Sequence, residues 1–104
     1  MKKKKFTTVL TSEDLLDVML EFERKIIKKF ALNYRASING KWYEVYRVDN
    51  YHGFLHEQRF WRSPEPMPLE TDMSLNEVVE HYVEKISLNF PKYRRYFIEM
   101  KRKE

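Results

Sequence analysis

The residues best able to do chemistry lie close together: Arg47, Asp49, His52 and His56, inside the run Trp42 to Phe60, WYEVYRVDNYHGFLHEQRF. An unperturbed imidazole titrates at about 6.5, so histidine is the natural proton carrier at neutral pH. Cleaving RNA through its 2′-hydroxyl needs a base, an acid and positive charge on the phosphate. His52 and His56 would move the protons, Asp49 would orient one imidazole, and Arg47 would hold phosphate. The same residue types also build turns. Asp49 and Asn50 cap turns through their side chains, Gly53 supplies freedom in φ, and Arg47 neutralises Asp49. Asp49, His52 and His56 also form a three-ligand set for zinc, open because the chain has no cysteine. That set ranks below metal-free chemistry, and no metal and no cofactor are expected. His81, between Glu80 and Tyr82, reads as a surface residue.

The elements that position this run read as follows. Thr11 looks like a helix N-cap, with Ser12, Glu13 and Asp14 in the first turn. Leu15, Met19, Phe22 and Ile26 follow at helical spacing, so a helix is expected up to about Lys28. From Phe30 the period becomes two, through Leu32, Tyr34, Ala36 and Ile38. Asn39-Gly40 then marks a type I′ hairpin, which sets Ala36 opposite Tyr43, Arg35 opposite Glu44 and Tyr34 opposite Val45. A second hairpin closes through Asn50 to Gly53, with Asp49 facing Phe54, Arg47 facing His56 and Glu44 facing Arg59. Pro64, Pro66 and Pro68 make residues 62–73 an extended connector. Ser74 and Glu77 form a capping box for a last helix, which Pro91 should kink.

The expected fold is therefore α+β: a three-stranded antiparallel meander with an N-terminal and a Pro-kinked C-terminal helix packed on one face, in the order α-β-β-β-α. A chain of 104 residues suits a single domain over 1–104. Lys2–Lys5 reads as a disordered basic tail over 1–5, and 101–104 as a second one. Those two runs hold seven lysines and arginines against a net charge of +4, so the remaining body is close to neutral. No apolar run reaches the roughly 18 residues that span a bilayer. Without cysteine or an apolar leader, a cytoplasmic setting and no membrane partner are expected. The many Lys and Glu with a single Gln lean toward a thermophile.

The run Arg47-Val48-Asp49-Asn50-Tyr51-His52-Gly53-Phe54-Leu55-His56 resembles the R-x-D-N-x-H-G-x-x-H signature of small bacterial and archaeal proteins similar to TumE-type toxins of toxin–antitoxin pairs. The resemblance implies a ribonuclease with RNA as substrate and an antitoxin protein as partner, and with the residues above this is expected to be a metal-independent endoribonuclease. Gln58 stands where relatives tend to repeat histidine. The resemblance does not reach the N-terminal third.

A different class of function competes. Trp42, Tyr46, Arg59 and Trp61, with Arg35 and Arg62 nearby, are placed on the other sheet face, which is too aromatic for an indifferent solvent surface. They would form a stacking platform for single-stranded nucleic acid, or be buried in a homodimer or against a protein partner. Glu44 and Glu57 dilute the positive charge, which favours protein contact. The alternative to the enzyme is thus a non-catalytic interaction module that uses the sheet. The two readings part on whether Arg47, Asp49 and His56 converge in an open cleft.

Overall fold

The computed structural model describes residues 1–104. It is an α+β fold, but not the expected one. Six antiparallel strands form a single sheet in sequence order: β1 (Lys2–Thr11), β2 (Asp14–Glu23), β3 (Ile26–Ile38), β4 (Lys41–Asp49), β5 (His56–Arg59) and β6 (Met67–Pro68). One helix, α1 (Leu75–Arg102), follows and packs chiefly on β3 and β4. The meander has six strands instead of three, and no N-terminal helix exists.

The N-terminal correction has a physical cause. The stretch Asp14–Glu23 supports two periodicities: Leu15, Met19 and Phe22 at helical spacing, and Leu16, Val18, Leu20 and Phe22 alternating. Pairing with strands on both sides decides for the second, and Leu16 and Val18 become core. The residues that suggested a helix cap make a hairpin turn instead. Thr11 Oγ1 donates to Asp14 and accepts from the Glu13 N–H. The next turn, Arg24-Lys25, has φ of 51° and 67° with no Asn or Gly in it. Left-handed backbone at such residues costs about 1 kcal/mol each, and Asn76 of α1 supports the turn. Its Nδ2 donates to Lys25 O, and its Oδ1 accepts from Ile27 N, both at 3.0 Å. The lysine run expected to be a tail opens β1.

At Asn39-Gly40 the expected turn forms, with φ of 53° and 79°. Ala36 faces Tyr43 and Arg35 faces Glu44 as anticipated. A bulge at Val45 then shifts the register, so that Tyr34 faces Tyr46 and Leu32 faces Val48. One inserted residue exchanges the two faces for the rest of the strand. Tyr46 and Val48 turn toward the helix, and Arg47 and Asp49 toward the open side. The second hairpin is two residues off the expected pairing: Asp49 faces His56, Arg47 faces Gln58 and Tyr46 faces Arg59. The charge match that suggested the other register is satisfied within β5, where Arg59 binds Glu57.

The core lies between the sheet and α1, with Leu16, Phe30, Leu32, Tyr34, Val48, Val78 and Ile86 fully buried. Ser74 and Glu77 form the expected capping box, and α1 runs unbroken through Pro91. Arg94 fixes the far end of the helix, reaching Glu13, Asp14 and the Ser37 carbonyl at 2.8–3.2 Å. Within the 62–73 connector, Met67 and Pro68 form β6 against β5. Lys101 and Arg102 end the helix rather than starting a tail. This helix is not long and apolar enough to cross a membrane.

Candidate functional site

The end of β4 and β5 places two polar clusters back to back. On the open face, Arg47, Asp49, His52 and His56 do come together. Arg47 Nε binds Asp49 Oδ2 at 2.6 Å, and His56 Nε2 lies 3.2 Å from Asp49 Oδ1. The His52 and His56 rings are 5.5 Å apart. There is no cleft at this point: Asp49 and His56 are each 1% exposed. Every polar atom of the pair is occupied. Asp49 Oδ1 also accepts from Tyr51 N, and His56 Nδ1 faces the Phe54 carbonyl at 3.2 Å. Both imidazole nitrogens thus face acceptors, and a neutral ring donates to only one of them.

The neighbouring Asn50 has a similar duty. Its Oδ1 accepts from Phe30 N, and its Nδ2 donates to Lys28 O, tying the loop after β4 to β3. Gly53 has φ of 86°, where a side chain would be strained. The run Arg47–His56 is therefore consumed by a turn, apart from His52, which is exposed on it, and the partly exposed Arg47. No three His, Asp or Glu side chains are arranged to hold a metal ion.

The helix face is the opposite case. A groove of about 660 Å³ opens between the end of the sheet and the C-terminal half of α1. Its floor is aromatic. Trp61 stacks on Tyr93 at 5.2 Å and 18°, and on Tyr46 at 6.1 Å and 26°, with Tyr96 at 5.6 Å. Its rim is basic: Arg59, Arg62, Lys85, Lys92 and Lys103 line it against one acid, Glu99. Arg59 is bound to Glu57 at 2.9 Å, whereas Arg62, Lys85, Lys92 and Lys103 make no ion pair. Glu57 is itself buried and accepts from the Tyr46 hydroxyl at 2.6 Å, so its charge is spent below the floor. Burial, then the bond to Glu57, pushes the Tyr46 hydroxyl far above the ordinary tyrosine range. Tyr82 and Tyr93 move the same way, again through burial first and Glu57 second.

Of the anticipated binding residues, Tyr46, Arg59 and Trp61 meet in this groove. Trp42 does not. It is 43% exposed on the open face, with the Arg35 guanidinium 5.3 Å from its ring. The bulge at Val45 separates the two tryptophans that sequence alternation had put together. Lys85, Lys92, Tyr93 and Tyr96 of α1 and Lys103 at its C-cap were missed, because Tyr93 reads as core and Lys103 as tail. The signal was present in KYRRYFIEMKRK (92–103), where Tyr93 and Tyr96 share a helix face flanked by cations.

Neither a curated protein nor a solved structure matches the chain. A family model does, over residues 1–103, and its description is a domain of unknown function. The chain belongs to that family, DUF7718.

Proposed function

We propose that the protein binds single-stranded nucleic acid in the groove between the sheet and α1, without acting on it chemically. The observation that carries this is the continuous aromatic floor centred on Trp61, beneath four cations that make no ion pair. Bases stack on aromatic rings regardless of sequence, at about 1–3 kcal/mol per base, while a basic rim follows the phosphates. No histidine lines the groove, and apart from Glu99 its polar rim is basic, as holding a strand requires. The resemblance to RNA-directed toxins points to the same ligand class.

Trp42→Phe leaves Trp61 as the sole indole and makes it the reporter. Adding a uridine oligonucleotide should quench that fluorescence. Binding should weaken with salt, with log K falling by about 3 per tenfold rise if four phosphates are neutralised. Lys85→Glu with Lys92→Glu should abolish binding while circular dichroism stays unchanged. Quenching that ignores both salt and this double substitution would rule the groove out. A deoxythymidine oligonucleotide tells whether the 2′-hydroxyl matters.

A second reading keeps the ribonuclease on the open face and is favoured by the convergence of Arg47, Asp49, His52 and His56. Only Arg47 and His52 reach solvent there, so His52 would have to carry the exchangeable proton. In that reading an antitoxin protein would mask the hairpin.

A further inference from the structure

We propose that the edge strand β1 pairs antiparallel with β1 of a second copy, in a register centred on Phe6, joining two sheets into one of twelve strands. β1 bonds only to β2, and Lys2–Val9 holds a single unbroken register against it, so its outer edge is long and straight. Every residue from Lys2 to Val9 is exposed, Phe6 by 41% and Val9 by 68%. Long edges are usually blunted by proline, bulges or charge. Here the charge covers only half: Lys2–Lys5 is basic, and Phe6–Leu10 carries none.

Antiparallel self-pairing lays one half on the other. When two sheets join edge to edge this way, the two-fold axis is perpendicular to them and the faces must match. The axis therefore passes through a residue, and the candidates nearest the middle of the regular run are Lys5 and Phe6. Centring on Lys5 sets its ammonium against its own copy. Centring on Phe6 sets Lys5 against Thr7, Lys4 against Thr8, Lys3 against Val9 and Lys2 against Leu10. No lysine then meets a lysine, and two phenyl rings meet at the axis. The lysine stems cover the partner's Val9 and Leu10 while their ammonium groups stay in water. β-Branched Thr7, Thr8 and Val9 suit the pleated surface so formed. The two Lys5 side chains remain diagonal neighbours on one face, so association should strengthen with salt, the reverse of strand binding in the groove.

Light scattering of the wild-type chain over a concentration series should show dimers. Thr8→Lys places two like-charged pairs across the interface and should raise the dissociation constant about tenfold. Thr8→Glu, opposite the partner's Lys4, should lower it. Because the chain lacks cysteine, Phe6→Cys alone should form a disulfide-linked dimer under mild oxidation. Val9→Cys should cross-link only when mixed with Lys3→Cys. All three positions are exposed, so circular dichroism should be unchanged. A wild-type monomer throughout overturns the proposal. A dimer indifferent to Thr8→Lys places the contact elsewhere, and Val9→Cys cross-linking to itself as readily as Phe6→Cys overturns the register.

Discussion

Tyr46 and Arg47 are consecutive residues of one strand, yet they belong to regions with opposite uses of polar groups. Behind Arg47, a carboxylate and an imidazole are sealed away, and every hydrogen-bonding atom on them faces a partner. In front of Tyr46, a cavity is surrounded by cations of which only Arg59 is ion-paired, to Glu57, while Arg62, Lys85, Lys92 and Lys103 are not. The first region holds the residue types associated with catalysis, and the second holds those associated with adhesion. The difference lies less in which residues are present than in which are left unsatisfied. A side chain already saturated by the fold has little to offer a ligand.

The most damaging way to probe this contrast is Asp49→Ala. It strips His56 and Tyr51 of an acceptor and leaves Arg47 without its carboxylate. Removing one partner of a buried ion pair costs about 3–5 kcal/mol, and the partial exposure of Arg47 places the expected loss near the lower figure. Urea unfolding should show it as a lower midpoint at unchanged slope. Oligonucleotide affinity, measured where the variant is still folded, should match wild type. A stable Asp49→Ala protein would mean that the hairpin is not the structural device its hydrogen bonding indicates.

A smaller effect is expected from Tyr46→Phe. The variant keeps the ring in the groove and removes the hydroxyl that Glu57 accepts from, which should cost about 1–2 kcal/mol. Binding should change by less than about twofold, since stacking is retained. The same hydroxyl has a pH signature. Its pKa is raised in the folded state, so the fold holds that proton more tightly than the unfolded chain does. The stability it brings is complete below the ordinary tyrosine value of about 10 and is lost as pH rises beyond it. Alkaline unfolding should be steep in wild type and shallower in Tyr46→Phe. Tyr51, raised to about 12 by burial and its bond to Glu21, adds to the same limb in both proteins.

The smallest effect is predicted for His52→Ala, within about 0.5 kcal/mol for an exposed turn residue. Its value lies in function. If wild type and His52→Ala leave RNA equally intact, or degrade it equally, His52 moves no proton and the groove reading stands. Selective loss of cleavage in His52→Ala, about 10² or more, would shift the function to the open face.

What the sequence revealed follows the strength of its local signals. Asn39-Gly40 and the Ser74–Glu77 box were readable because each meets a backbone demand with a residue specialised for it. Arg24-Lys25 was not, since neither residue announces a left-handed turn and its support comes from Asn76, about fifty positions away. The first helix was misread because Leu15 to Phe22 satisfies two periods, and only pairing with strands on both sides separates them. The bulge at Val45 has no residue signature. It inverted the expected faces of Tyr46 and Arg47, hiding the groove and splitting Trp42 from Trp61. The four residues of the supposed catalytic set were found together, as their spacing on a hairpin implied. Their burial depended on the loop that folds around them and could not be read from spacing.

Each strand bonds to the strand made just before it, and the helix that covers them is made after all six. During synthesis, at roughly 5–20 residues per second, the sheet can zip up one hairpin at a time. Leu16, Leu32, Tyr34 and Val48 nevertheless face water until Ile86, Tyr93 and Phe97 emerge. For a few seconds the nascent chain is a sheet with one greasy side and an open first strand, the state most in need of a chaperone. A chain cut short before Ile86 would leave that state permanent, and it should go to the aggregate or the protease.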